Sequence, residues 1–184
     1  MARITLITGG SRSGKSAFAQ HLAEESPGTR LFLATCPVTD PEMELRILRH
    51  VRDRERANWD TVEEPVDLAG ALRQAHRFDT VLIDCLTLWV NNLMFAAEGR
   101  QQAIDEDQVR LETEQLLHAA RAHPGEVIMV TNEVGMGIVP DNASARLYRD
   151  LIGRCNQCFG MAADRVYLVS CGIPIQLKGN DNAL

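Results

Sequence analysis

Short apolar stretches recur along the chain and alternate with segments whose apolar residues fall three and four apart. The stretches are Arg3–Thr8, Arg30–Thr35, a short one at Trp59–Glu63, Thr80–Leu86, Val127–Thr131, Arg165–Ser170 and Ile173–Leu177. Several are unbroken Val/Ile/Leu runs, as expected of strands covered on both faces. Helical spacing follows the first strand (Ala17, Phe18, Leu22, Ala23); another helix follows a polar loop at about Gly99–Asp107 and runs to about His123, with Val109, Leu116, Leu117 and Ala120 inward. It returns at about Ser144–Met161, where Leu147, Leu151, Cys155, Cys158 and Phe159 form one apolar stripe. Strand alternating with helix predicts an α/β fold of three layers, a mostly parallel sheet of about seven strands with helices on both faces. No repeat or linker interrupts residues 1–184, so a single domain is expected.

Composition narrows the classes. The chain has 184 residues, enough for one sizeable core. Its net charge is −6, which argues against nucleic acid as a partner. No apolar run is long enough to insert in a membrane, and the first residues do not read as a signal peptide. Five cysteines without framework spacing suit reduced thiols. A cytoplasmic location is the expectation.

The first strand runs into Gly9-Gly10-Ser11-Arg12-Ser13-Gly14-Lys15-Ser16, the G-x-x-x-x-G-K-S pattern of a P-loop. The glycines let backbone N–H groups surround a phosphate, and the following helix adds its positive dipole end. Lys15 can reach the β- and γ-phosphates, and the Ser16 hydroxyl can ligate Mg²⁺. Thr80–Asp84 is a strand ending in an acid, the pattern of a second Mg²⁺ partner acting through water. A nucleoside triphosphate site of the P-loop NTPase kind follows from these two segments together.

Other segments stay open on their residues alone. Asp40-Pro41-Glu42 opens a helix to about Arg54 that carries Arg46, Arg49, Arg52 and Arg54, with Arg56 beyond it and His50 among them. The cluster reads either as a solvated charged face or as a phosphate-facing surface whose neutral histidine is a nucleophile. Val130–Pro140 lies just past a strand's carboxyl end, where open α/β sheets bind ligands. There Asn132 and Glu133 are polar contacts or parts of a structural turn. Cys155 and Cys158 have redox or zinc spacing but fall on the apolar stripe, which favours packing.

Taken together, the chain resembles the bifunctional adenosylcobinamide kinase / adenosylcobinamide-phosphate guanylyltransferase family of cobalamin biosynthesis, almost end to end. The resemblance rests on Thr8–Ser16, Leu33-Ala34-Thr35, Asp40-Pro41-Glu42-Met43, Arg46-Ile47-Leu48-Arg49-His50, Asn58-Trp59 with Glu63, Val130–Pro140 and Arg154-Cys155-Asn156-Gln157. It implies phosphorylation of adenosylcobinamide by ATP or GTP. GMP then passes from GTP to adenosylcobinamide phosphate through a guanylylated histidine, which matches His50. It also implies nucleotide contacts at Gly9, Gly10, Ser11, Arg12, Ser13, Gly14, Lys15, Ser16, Ala34, Thr35, Cys36, Val51, Arg52, Asp53, Arg54, Glu63 and Asp84. Ser16 and Asp84 are the implied metal ligands, and the implied assembly is a homotrimer. The family also shows Glu at the position of Asp84, and either carboxylate can serve Mg²⁺. Position 36 varies in the family, so Cys36 is expected to contact through its backbone. Two other readings of the P-loop are a kinase of a different small alcohol and a GTP-binding regulatory module. The second would need an N-K-x-D guanine motif, where this chain has Thr131-Asn132-Glu133-Val134.

Overall fold

The computed structural model describes residues 2–36, 58–102 and 104–179. Its strands are β1 (Arg3–Gly9), β2 (Arg30–Ala34), β3 (Trp59–Glu63), β4 (Thr80–Asp84), β5 (Glu126–Val130), β6 (Arg165–Ser170) and β7 (Ile173–Lys178). Its α-helices are α1 (Lys15–Glu25), α2 (Leu68–Gln74), α3 (Leu86–Gly99), α4 (Glu106–Ala122) and α5 (Ala143–Ala162). The strands form one sheet in the order β3-β2-β4-β5-β1-β6-β7. All neighbours run parallel except β6 and β7, which form an antiparallel hairpin.

The helices divide unequally between the faces. Ile4, Leu6, Leu33, Ile83, Val127 and Met129 point to one side, where α2, α3, α4 and α5 bury Leu72, Trp89, Leu116 and Phe159 against them. Ile7, Phe32, Leu82, Ile128 and Val130 point to the other, against Ala19 and Ala23 of α1. This alternation within unbroken apolar strands is why their sequence shows no period of two.

Four details differ from the sequence expectation. Strand β4 stops at Asp84, because Cys85 caps α3 and Leu86 is its first residue. Helix α2 has no counterpart in the periodicity. It is held at its start by the Asp67 carboxylate, which accepts from the Gly70 N–H at 2.8 Å. On α5, Leu147 is exposed and Cys158 half-buried, so the buried stripe is Leu151, Ile152, Cys155 and Phe159. On α4, Leu117 is half-buried at the core's margin.

Candidate active site

A single row of residues crosses the sheet near the carboxyl ends of its parallel strands. Pairing places Glu63 beside Ala34, Ala34 beside Asp84, Asp84 beside Val130, Val130 beside Ile7 and Ile7 beside Tyr167. Glu63, Ala34 and Asp84 therefore sit in register. The chain continues beyond this row into the Gly-rich loop, Thr35-Cys36, Cys85, and Thr131-Asn132-Glu133. Parallel sheets bind ligands at this end.

The loop leaves β1 at Gly9, where φ is 155° and a Cβ would strike the Val169 carbonyl. Arg12 and Gly14 also take positive φ, 57° and 94°. Inside the loop the Ser13 N–H donates to Gly10 O at 3.3 Å. From outside, Gly172 N–H donates to Ser13 O at 2.8 Å, so the β6–β7 turn supports the loop. A Cβ on Gly14 would stand 3.1 Å from the Gly172 Cα, so the turn would have to give way slightly to admit one, on top of the strain of the positive φ. Lys15 is buried, and its Nζ donates to Gly10 O at 3.2 Å, folding the side chain back over the loop. Helix α1 begins on Gly14 with no side-chain cap, so the N–H groups of its first turn are left for an anion.

Beside the loop, the ends of β2 and β4 are fastened to each other. Thr35 is fully buried; its hydroxyl donates to Cys85 O at 2.9 Å and accepts from Cys85 N–H at 2.7 Å. The Asn92 amide of α3 donates to Thr35 O at 2.8 Å and to Pro65 O at 3.0 Å. Asp84 is half-buried next to this clamp. Burial pushes the Cys85 thiol up, and the adjacent Asp84 charge adds to the effect.

The end of β5 carries a second network. Glu133 Oε1 accepts from the Thr8 hydroxyl at 2.9 Å and from the Asn156 amide at 3.2 Å. The Glu133 N–H donates to Gly9 O at 3.3 Å. Asn156 also donates to Asn132 O at 2.9 Å and accepts from the Thr131 hydroxyl at 2.7 Å. Asn132 donates to the Thr87 hydroxyl at 3.0 Å. The Tyr148 hydroxyl donates to Thr87 O at 3.2 Å; burial pushes that phenol up to about 12. The two readings of Val130–Pro140 thus combine. The backbone makes a turn, with a short 3₁₀ helix at Val134–Met136, and the polar side chains tie the turn to β1, α3 and α5.

Two buried side-chain polar atoms among the described residues have no partner: Ser13 Oγ and Asn132 Oδ1. Both stand at this end of the sheet, one in the loop and one past β5. A buried polar atom without a partner is costly, so each suits a bound group that supplies one.

The structure thus gathers Gly9–Ser16, Ala34, Thr35, Cys36, Glu63 and Asp84 at one end of the sheet, with Glu63 exposed at its far edge. His50, Val51, Arg52, Asp53 and Arg54, with the arginines around them, lie outside the described residues. From the sequence, Cys85–Leu93 reads as a buried helix start whose polar groups point to the site, and Thr87 and Asn92 do so. Thr8, Tyr148 and Asn156 were not singled out, since nothing local in them marks a part in the site. Cys155 of the Cys155–Cys158 pair is buried in the core, and no group of three or more metal-ligating side chains occurs among the described residues.

Comparison with known proteins resolves the family. The profile described as cobinamide kinase / cobinamide phosphate guanyltransferase matches residues 5–177. The chain belongs to that family. It is 40% identical to the bifunctional adenosylcobalamin biosynthesis protein CobU of Salmonella typhimurium, covering 94% of this chain and 98% of that protein. It is 41% identical to the bifunctional adenosylcobalamin biosynthesis protein CobP of Pseudomonas aeruginosa, over 95% and 96%. The fold is similar to that of KaiC-like protein PH0186 from Pyrococcus horikoshii, with a TM-score of 0.50 at 17% identity over 90% of this chain and 70% of that one. No helix among the described residues is long and apolar enough to cross a membrane.

Proposed function

We propose that this protein carries out both reactions in its family's name within one domain. It phosphorylates the hydroxyl of adenosylcobinamide with ATP or GTP, then transfers GMP from GTP to the resulting phosphate. The observation that carries this reading is the loop at Gly9–Ser16. Left-handed Gly14, inward-folded Lys15, unpartnered Ser13 Oγ and the uncapped start of α1 are together suited to a triphosphate.

In the kinase reaction the loop N–H groups and Lys15 hold the β- and γ-phosphates, and the acceptor hydroxyl attacks the γ-phosphorus. The Ser16 hydroxyl and the Asp84 carboxylate, half-buried on β4, fit an oxygen-ligated divalent ion. Bound there, Mg²⁺ would neutralise charge on the phosphates. In the second reaction a ring nitrogen of His50 attacks the α-phosphorus of GTP and pyrophosphate leaves. The phosphate of the acceptor then displaces the histidine, taking the GMP and giving adenosylcobinamide-GDP. Arg46, Arg52 and Arg54 offset charge at the α-phosphate and on pyrophosphate. Ala34, Thr35, Cys36, Val51, Asp53 and Glu63 complete the nucleotide contacts. A homotrimer and a cytoplasmic location belong to the same reading.

The test uses GTP labelled at its α-phosphate. Acid-labile label should appear on the protein and vanish in His50→Ala. Label that survives in that variant, or wild-type protein that takes up none, overturns the covalent step. Light scattering tests the assembly, with a mass three times the 20.4 kDa chain expected.

A further inference from the structure

The phosphoryl-transfer reaction releases one proton from the acceptor hydroxyl, and the loop offers no base to take it. Its ionisable groups are the cations Arg12 and Lys15. Among the described residues, the nearest carboxylates stand at the neighbouring strand ends.

The sheet order ranks the carboxylates available. Glu63 ends β3 and Glu64 follows it, four places from β1, and Glu64 Oε1 is occupied by the N–H groups of Val66 and Asp67 at 2.9 and 2.8 Å. Asp84 ends β4, two places from β1, and is the proposed partner of the metal ion. Glu133 follows β5, which pairs directly with β1. Its backbone N–H is bonded to Gly9 O, the first glycine of the loop.

Glu133 is also held in an unsymmetrical way. Oε1 takes both the Thr8 hydroxyl and the Asn156 amide. Asn156 is itself fixed by Thr131 and by Asn132 O. Oε2 accepts from none of the described residues. The side chain is half-buried, and the neighbouring Asn132 Oδ1 is buried without a partner. Anchoring through Oε1 fixes the carboxylate in place and leaves Oε2 open to a proton donor.

We propose that Glu133 is the general base of the phosphoryl-transfer reaction, with Thr8 and Asn156 as positioning residues. This rests on the kinase reading above. The oxygen of the acceptor hydroxyl forms a bond to the γ-phosphorus, and its proton passes to Glu133 Oε2. The bond from the γ-phosphorus to the β-phosphate bridging oxygen breaks, its electron pair leaving with the nucleoside diphosphate. Glu133 then returns the proton to water. The guanylyl transfer to His50 involves no acceptor hydroxyl and does not need Glu133.

That difference makes the test specific. Glu133→Gln, assayed with adenosylcobinamide and nucleotide labelled at the γ-phosphate, should lose about 10²- to 10⁴-fold in kcat. Its KM for nucleotide should stay within about twofold of wild type. The same preparation should still label His50 from GTP at the wild-type rate. Thr8→Val should lower kcat by up to about 100-fold through misplacement, and Thr8→Ser should restore it. Phosphorylation by Glu133→Gln within about threefold of wild type overturns the proposal. So does a joint loss of phosphorylation, nucleotide affinity and histidine labelling, which marks a structural role. Should Glu133→Gln not fold, the Thr8 pair decides: a Thr8→Val variant with unchanged kcat rejects the assignment. Wild-type protein that leaves adenosylcobinamide unphosphorylated overturns the parent reading, a result distinct from an unimpaired variant beside an active wild type.

Discussion

Gly14 and Gly10 share a loop and a residue type but stand in different surroundings. Gly14 holds φ at 94° with Gly172 behind it, whereas a Cβ on Gly10 would meet nothing within 4 Å. Gly14→Ala should therefore cost about 1–3 kcal/mol in backbone strain. Gly10→Ala should change stability by less than about 0.5 kcal/mol. Calorimetry separates them, since each kcal/mol moves Tm by about 2–4 °C in a chain of this size. The motif requires glycine at 14 and leaves position 10 open, and the positive φ and the hairpin packed behind Gly14 give the reason. The cysteines give a parallel case. Burial pushes the Cys155 thiol up to about 12, with a hydrogen bond from the Thr113 hydroxyl opposing and the nearby Cys158 adding to it. Cys171 is exposed at a turn. Iodoacetamide at mildly alkaline pH should label Cys171 and spare Cys155 and Cys85, as peptide mass mapping would show. The core role of Cys155 was legible, because the helical period put it on an apolar stripe. The outward lean of Leu147 and Cys158 was not. A stripe in sequence gives the direction of a face but not where the opposing helix ends.

The elements that escaped sequence reading are short or lie at the edge of the sheet. Helix α2 spans Leu68–Gln74, about two turns, too few to establish a period. Its strongest local signal was the cap, and Asp67→Ala should cost about 1 kcal/mol of stability in chemical denaturation. The β6–β7 hairpin was legible as two strands but not as an antiparallel pair. Its two-residue connection is Cys171-Gly172, which holds φ of 53° and 80°. Positive φ at both central residues is the demand of a type I′ turn, for which Asn-Gly is the favoured pair. Cysteine hides that signal. Cys171→Asn should be neutral or raise Tm slightly, and a clear fall would contradict the turn assignment. The parallel strands, by contrast, were read nearly to their ends. The inner ones are covered on both faces and so are largely apolar runs, with polar residues marking where they stop, whereas edge strand β3 is mostly exposed.

At the scale of the molecule, the unequal coverage of the sheet joins distant parts of the chain through a few polar anchors. Burial pushes the Asp164 carboxyl up, but Arg121, the Ile4 N–H and Lys178 outweigh that and hold it below its ordinary value. The Thr29 N–H and hydroxyl do the same for Asp79. Each native value lies below the unfolded one, near 3.8, so the stability these groups add is complete above that pH. It drains away as pH falls through the depressed native values. Tm should therefore drop as acid is added below about pH 4, less steeply in Asp164→Asn. These anchors were not legible, since nothing local in Asp164 or Ile4 announces a contact across 160 positions. The site was legible wherever one segment carries its own chemistry, as in the loop and Asp84, and not where it depends on residues such as Thr8 and Asn156 meeting. The support of the loop by the β6–β7 turn has a consequence for biosynthesis. Residues 9–16 leave the ribosome well before Gly172, whose N–H braces Ser13 O. At about 5–20 residues per second, many seconds separate the two. The nascent chain carries its phosphate motif throughout that interval without the turn that shapes it. Nucleotide can act as a folding ligand only once the β6–β7 turn has emerged.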